Sequence, residues 1–413
     1  MGLVPARTWR KLAGMEAFFA ELGRSVFSRW KKENFSLAAF PQIAREALEK
    51  RPPAKHVDLP ALMRGFLLEE EQPAQSGSDF GQPELIVYDN PRFYIQVLFW
   101  LEGTMEIHQH EFSGAFHVLA GSSLHSEFSF ENARAVSAHF RVGDLKLRRT
   151  ELLETGATVP IISGSAHIHS LFHLDTPSVS VVVRTHNDPG TGPQFTYLPP
   201  HLAVDPFFSD PLTARRKELL DVMEKTGDPA YAGLVGKMLG DLDFERGFFI
   251  LQSTMGHLAE LGKWERAWKV FERKHRALAA QVKPTLEEIA WRDGPVGLRS
   301  SVTNADHRFF LALLLNVPRR KAILELVAAR YAGNPVETVL RWAEELSDAS
   351  GFTTWILDAE FPLEVPVPAE EQAEVFLGAL RYFLEGGKGK LSRADAGHFR
   401  AALARSSLRA LVA

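Results

Sequence analysis

Histidines inside strand-like sequence constrain this chain more than any other feature. Ten of its 15 histidines lie between His108 and His201. They include two His-x-His pairs, IHQH ending at His110 and HIH at residues 167–169. Side chains alternate between the two faces of a strand, so the histidines of each pair project from one face. With a third imidazole from another strand, such a pair makes a three-ligand metal site with open coordination positions.

A structural role is the competing interpretation of each histidine pair. A lone buried histidine is commonly satisfied by a hydrogen bond and carries no chemistry. Two pairs about sixty residues apart, both in strand-like runs, favour a metal centre instead. Imidazole ligands alone do not separate iron, zinc, nickel, copper and manganese.

Composition excludes several classes of function. The formal net charge is -4, and no basic run carries interleaved aromatic residues, so no nucleic-acid partner is expected. No apolar run reaches the ~18–20 residues of a membrane helix, and the N-terminus lacks a signal-peptide core, which predicts a cytoplasmic location without membrane contact. The chain has no cysteine, so disulfides, thiolate ligands and Fe–S clusters are excluded. Any metal must be held by His, Asp or Glu, and a homo-oligomer is compatible with these features.

The pattern of apolar and polar residues predicts three domains within the 413 residues. Residues 1–75 show helical spacing of apolar side chains, and a polar stretch at 69–83 is the best linker candidate. Residues 84–200 contain short runs rich in β-branched and aromatic residues, among them RFYIQVLFWL, RAVSAHFRV and SVSVVVRT. Residues 206–413 return to amphipathic helical patterns. The predicted fold class is α+β, with a central sandwich or small barrel flanked by helices.

The central zone resembles a cupin, a double-stranded β-helix (jelly-roll barrel), over roughly residues 85–185. The positions that match the two cupin signatures are Gly103, His108, His110 and Gly121 in the first, and Gly156, Gly164 and His167 in the second. Gly114 stands where the first signature has a glutamate. The resemblance therefore implies three histidine ligands and no carboxylate.

A cupin site with three histidines is similar to that of the thiol dioxygenases. The resemblance implies Fe(II) held by His108, His110 and His167, with other divalent metals (Zn, Ni, Mn, Cu) as alternatives. His169 shares the face of His167, so it is the reserve ligand and the candidate for a further catalytic role. The family's Ser-His-Tyr relay is replaced by Ser180, Val182 and Arg184, and its Cys–Tyr crosslink cannot form here.

Two arginines are candidates for binding an anionic substrate. Arg184 ends the run SVSVVVRT, where alternation places it on one face with Ser180 and Val182. Its guanidinium would offer a bidentate fork to a carboxylate. Arg92, in the segment YDNPRF, is the second candidate. The predicted function is a mononuclear non-haem iron dioxygenase that uses O₂ and a small thiol- or carboxylate-bearing molecule.

Other functions remain open at the level of sequence. A cupin sensor or scaffold could bind a metal without catalysis and interact through the helical domain. A metal-dependent isomerase or hydrolase could use the same barrel. A 2-oxoglutarate-type oxygenase could instead use the H-x-E pair of His125 and Glu127, with His173 and Arg184.

Overall fold

The computed structural model describes residues 6–68, 73–75, 80–101, 106–299, 302–350 and 369–413. The predicted linker at 69–83 lies largely outside the described residues, and so does Gly103 of the first cupin signature. The chain is a mixed α/β structure in which helices come first, strands follow, and helices return. No helix in the described ranges is long and apolar enough to cross a membrane.

Three helices precede the strands, and they are α1 (Ala6–Lys32), α2 (Phe40–Lys50) and α3 (Leu59–Leu68). The strands are β1 (Glu84–Asn90), β2 (Phe93–Trp100), β3 (Ile107–His110), β4 (Gly114–Ala120), β5 (Ser122–Ala135), β6 (Phe140–Glu154), β7 (Thr158–Ile161), β8 (Gly164–His173), β9 (Ser178–Thr185), β10 (Thr196–Leu198) and β11 (Leu202–Val204).

The helices after the strands are α4 (Pro211–Thr226), α5 (Tyr231–Asp241), α6 (Phe244–Glu260), α7 (Trp264–His275), α8 (Ala279–Leu298), α9 (Ala305–Asn316), α10 (Arg320–Arg330), α11 (Pro335–Ser350), α12 (Ala369–Leu384), α13 (Arg393–Arg405) and α14 (Arg409–Val412). Their ends follow local signals in the sequence. Pro335 opens α11, and the pair Gly386 and Gly387, both with positive φ, follows the end of α12.

The strands form two sheets that enclose a cavity. One sheet has five strands in the order β1-β2-β9-β4-β7, and the other closes as a barrel in the order β10-β11-β6-β5-β8-β3. All described pairings are antiparallel, and most join strands that are distant in sequence. Such crossed connections pair β3 with β8 and β2 with β9, although more than fifty residues separate the two strands of each pair in the sequence.

Strand alternation separates an outer face from the cavity face in the five-stranded sheet. On β2, Phe93, Ile95 and Val97 join the core that α1 and α2 form against this sheet. On β9, Val179, Val181 and Val183 do the same. The intervening residues of both strands therefore point into the cavity. Helices cover the other side of this sheet, which is mainly apolar but includes the buried His117 of β4.

Helices also cover the outside of the six-stranded sheet. Phe140, Val142, Leu202 and Val204 pack with α4 to α8, while Leu124, Phe172 and Leu174 pack with α9 to α14. The strand-rich centre thus lies between two helical layers.

One strand prediction differs from the structure. The run RAVSAHFRV is divided by a turn between β5 and β6, because residues 136–139 reverse the chain. The two strands form a long hairpin in which the end of β5, residues 131–135, is exposed. On β6, the charged residues Asp144, Lys146 and Arg148 occupy alternate positions.

Candidate metal centre

A small cavity between the two sheets contains the candidate site. Its volume is about 40 Å³, enough for roughly three water molecules or a molecule of a few non-hydrogen atoms. Its wall combines aliphatic and aromatic side chains with a few polar groups. The polar members are Gln96, His108, His110, His169, His173, Ser180 and Arg184.

Three buried histidines converge on one end of this cavity. The ligand atoms of His108, His110 and His169 all lie within 4.8 Å of one another. His108 and His110 come from β3, and His169 lies opposite His108 on the neighbouring β8. The Nε2 atoms of His110 and His169 are 2.9 Å apart. Two nitrogens bound at right angles to one ion, with bonds of about 2.1 Å, would be about 3.0 Å apart.

Unpartnered nitrogens in this group support a metal. His108 Nε2 and His110 Nδ1 are buried without a hydrogen-bond partner among the described residues. His108 Nδ1–H donates to the Glu106 carbonyl at 3.2 Å, so the neutral ring carries its proton on Nδ1 and its lone pair on Nε2. Buried polar atoms are rarely left unsatisfied. A bound metal ion would give the lone pair of His108 Nε2 a partner.

The histidines of this group are neutral at physiological pH. Burial lowers the pKa of His108, and burial with neighbouring like charges lowers the pKa of His110 and of His169 well below the ordinary value. A neutral imidazole offers a lone pair, whereas a protonated one cannot bind a metal. The donor set therefore fits a transition-metal ion.

The predicted ligand His167 lies beside this group in a second one. His125, His167 and His169 also have ligand atoms within 4.8 Å of one another. Both ring nitrogens of His167 are buried without a partner among the described residues, and burial lowers the pKa of His167 to about 4. His167 and His169 do share a face of β8, but His169 belongs to both groups. The structure thus brings the reserve ligand, rather than His167, into the group with His108 and His110.

A hydrogen-bonded chain leads from the barrel wall to His169. Glu151 Oε1 lies 3.1 Å from His125 Nδ1, and His125 Nε2 lies 3.1 Å from His169 Nδ1. The His125 hydrogen bond lowers the pKa of Glu151, so this carboxylate is ionised and accepts. His125 then donates from Nδ1 and accepts at Nε2 from His169 Nδ1–H. His169 Nε2 is left with its lone pair directed toward His110.

The H-x-E alternative is only partly assembled. His125, Glu127 and Glu151 have ligand atoms within 4.8 Å of one another. Glu127 is paired with Arg149, however, and His173 is held elsewhere by Ser123 Oγ and by stacking on Trp100. The predicted facial set with His173 is therefore not brought together.

The two candidate arginines have different surroundings. Arg184 lines the cavity, and its guanidinium lies 3.5 Å from the centre of the Phe112 ring. No carboxylate of the described residues forms an ion pair with Arg184, and burial lowers its pKa from an ordinary value so high that the group stays charged. Arg92 is exposed in the turn between β1 and β2, and it stacks on Phe35 outside the cavity. The structure does not bring Arg92 to the histidines.

Gly114 has a structural explanation that the sequence does not reveal. It lies opposite Arg184 where β4 pairs with β9. A Cβ atom at this position would lie 2.1 Å from the Val183 carbonyl oxygen. The missing side chain permits this close approach of two strands, and a glutamate here would meet that backbone instead of the histidines. The glycine at this position is therefore explained by the approach of the two strands, and the absence of a carboxylate ligand stays a prediction.

Sequence reasoning missed three residues of the site. Gln96 is the single amide in the apolar run FYIQVLFW, and that contrast was a usable signal. His125 was assigned to another set of ligands. Glu151 lies in the charged segment LRRTELLE, which alone gives no reason to place a carboxylate beside a buried histidine.

No protein-family model and no curated protein matches the sequence. Among solved structures, similarity is found to a hydroquinone 1,2-dioxygenase from a Sphingomonas strain with 4-hydroxybenzoate bound (11% identity, 26% of this chain, 68% of that chain, TM-score 0.21). A second hydroquinone 1,2-dioxygenase, in complex with Cd²⁺ and 4-hydroxybenzonitrile, matches at 16% identity over 25% of this chain and 63% of its own, with a TM-score of 0.19. A DMSP lyase from Ruegeria pomeroyi matches at 18% identity over 37% of this chain and 75% of its own, with a TM-score of 0.21.

At such identities and TM-scores, the likeness carries no argument about ligands, metal or reaction in this chain.

Proposed function

We propose that this chain is a cupin-type, metal-dependent oxygenase acting on a small anionic molecule, with one metal ion held by His108, His110 and His169. The observation that carries the proposal is the convergence of three neutral, buried imidazoles on the cavity that also contains Arg184. Three protein ligands leave coordination positions for substrate and O₂. Fe(II) is the preferred ion, and the imidazoles alone would also accept Zn, Ni, Mn or Cu.

The sheet order supports the cupin part of the proposal. Strands β2, β9, β4 and β7 are neighbours in one sheet, and β3, β8, β5 and β6 are neighbours in the other. An eight-stranded jelly roll interleaves its strands between two sheets in this manner. The predicted ranges, 1–75, 84–200 and 206–413, remain a proposal for the domains.

The charge of the cavity supports an anionic substrate. The histidines are neutral, so a divalent metal would keep its full charge, and Arg184 adds another positive group. Arg184 donates from Nε to the Thr185 carbonyl and lies over the Phe112 ring, but no carboxylate of the described residues forms an ion pair with it. A substrate carboxylate would supply that opposite charge. When bound, the metal would supply a Lewis-acidic and, if iron, a redox-active centre. The three histidines would hold the metal, and Arg184 would contact the anionic group of the substrate.

Metal analysis of purified variants tests the ligand set. We expect one ion per chain in the wild type and loss of most of it in His108→Ala, His110→Ala and His169→Ala. His117→Asn is the matched control, because His117 is equally buried but bonds Thr158 in the other sheet. Full occupancy in His169→Ala together with loss in His167→Ala would return the third-ligand role to His167.

Oxygen uptake tests the reaction class. The Fe(II)-loaded protein is mixed with a panel of small acids and thiols, and O₂ consumption is measured with an electrode. Arg184→Lys keeps the charge but loses the planar fork, so we expect a raised KM with unchanged metal content. A metal-loaded protein that consumes no O₂ with any member of the panel would favour an isomerase, a lyase or a sensor.

A further inference from the structure

One buried amide in the cavity has no partner. Gln96 lies on β2 with 1% of its surface exposed, and its Oε1 has no hydrogen-bond partner among the described residues. Leaving such an acceptor unsatisfied costs about 1–3 kcal/mol. Ser180 Oγ accepts from Trp100 Nε1 at 3.0 Å, and its hydroxyl makes no hydrogen bond to Gln96 Oε1. The cavity therefore contains an unpaired hydrogen-bond acceptor to which a bound molecule could donate.

Strand register places this amide beside Arg184. Gln96 lies opposite Val182, and Arg184 follows two residues later on the same strand, opposite Tyr94. Diagonal neighbours of this kind on antiparallel strands have Cα atoms roughly 7–8 Å apart, within reach of long side chains. Both residues line the cavity that the three histidines close at one end. One small molecule can therefore contact the guanidinium and the amide together.

The rest of the wall restricts what that molecule can be. Between these polar groups the lining is apolar, with Leu98, Phe112, Phe116, Ile161 and Val182. A volume of about 40 Å³ admits only a few non-hydrogen atoms. A hydroxyl suits Gln96 Oε1 better than an ammonium group does, because the cavity already holds the positive charge of Arg184. A thiol would be a weaker donor than a hydroxyl.

We infer that Gln96 is a substrate-binding residue that selects short hydroxy acids over acids without a hydroxyl group. The carboxylate would pair with Arg184, and the hydroxyl would donate to Gln96 Oε1. This inference rests on the proposed function, because it uses the same cavity and the same anion contact. Beyond the proposed function, the inference names short hydroxy acids as the class of substrate and Gln96 as the residue that recognises their hydroxyl group.

Two acids that differ only in the hydroxyl group provide the probe. Glycolate and acetate are titrated calorimetrically into metal-loaded wild type and into Gln96→Met, a substitution of similar size without the acceptor. The wild type should prefer glycolate, and the preference should fall about tenfold in Gln96→Met with unchanged metal content. Any contact between the hydroxyl and the metal contributes to both proteins, so the change in the ratio isolates Gln96.

A second measurement separates recognition from a structural role. Gln96→Met removes an unsatisfied buried acceptor, so its melting temperature without ligand should equal or exceed that of the wild type. An unchanged glycolate-to-acetate ratio would overturn the inference, and so would a clear loss of ligand-free stability. Wild type that retains its metal but binds neither acid would also overturn it.

Arg184→Met distinguishes this inference from the proposed function. This variant should lose both acids equally while retaining its metal. If it binds both acids as the wild type does, the anion contact of the proposed function fails. If the wild type holds no metal at all, the proposed metal centre fails, and the Gln96 ratio can still be measured on the metal-free protein.

Discussion

The orientation of His169 should depend on His125, a residue that need not touch the metal. In the hydrogen-bonded chain, ionised Glu151 fixes the proton of His125 on Nδ1, and His125 Nε2 then accepts from His169. This arrangement fixes the proton of His169 on Nδ1 and leaves Nε2 for a metal. Groups that orient a metal-binding histidine in this way typically contribute a factor of 10–100 to metal affinity.

His125→Leu tests this dependence. His125 is fully buried, so no water can replace its nitrogen as acceptor without a rearrangement of the barrel wall. The His169 Nδ1–H would be buried without a partner, and the ring could adopt the other tautomer. We expect the metal dissociation constant to rise 10–100-fold, which corresponds to about 1.4–2.7 kcal/mol. Glu151→Gln keeps an acceptor oxygen for His125 but loses the charge, so its effect should be smaller than tenfold.

Competition with a chromophoric chelator, using Zn²⁺ or Co²⁺, measures these constants directly. His117→Asn serves again as the control and should bind metal as the wild type does. If His125→Leu binds metal with wild-type affinity while His169→Ala binds none, the hydrogen-bonded chain does not orient the ligand. An equal loss in the control would indicate general damage to the barrel.

Two further predictions concern stability. Burial lowers the pKa of His117 from 6.5 to about 4, so below pH 6.5 the unfolded chain binds a proton more readily than the folded chain does, and stability falls as the pH falls. From pH 7 to pH 5 the free energy of unfolding should decrease by about 2 kcal/mol through this group. Denaturant unfolding of His117→Asn should therefore show a shallower dependence of stability on pH. Gly114→Ala should destabilise the protein by about 1–3 kcal/mol, because the added Cβ would meet the Val183 carbonyl oxygen. The control Gly14→Ala, whose Cβ would lie in open space on α1, should leave the melting temperature unchanged or raised.

Strand alternation predicted much of the cavity wall from sequence. It placed Ser180, Val182 and Arg184 on one face, and all three line the cavity. It could not choose between His167 and His169, because both occupy the same face of β8. An irregularity in the β3–β8 pairing makes that choice, since His108 lies opposite His169 whereas His110 lies opposite Gly164. Such a bulge depends on tertiary pairing and leaves no periodic signal.

Long-range pairing also explains what the sequence did not predict. Glu151 meets His125 because β5 and β6 form a long hairpin, and the run RAVSAHFRV had suggested one strand at the position of its turn. Gly114 matched a signature position, yet its role concerns the backbone of β9. Arg92 stood near the barrel in sequence but stacks on Phe35 of the N-terminal layer. Each discrepancy depends on a partner more than fifty residues away or on the geometry of a turn.

His169 belongs to both groups of histidines that could hold a metal ion. Its Nε2 faces His110, and its Nδ1 faces His125. The proton on Nδ1 that binds His125 prevents the same nitrogen from coordinating a second ion. Filling the group of His125, His167 and His169 would therefore require this hydrogen bond to break, while the group with His108 and His110 leaves it intact. A single ion on the Nε2 side of His169, as proposed above, is compatible with this hydrogen bond, and the ligand role of His167 stays a prediction.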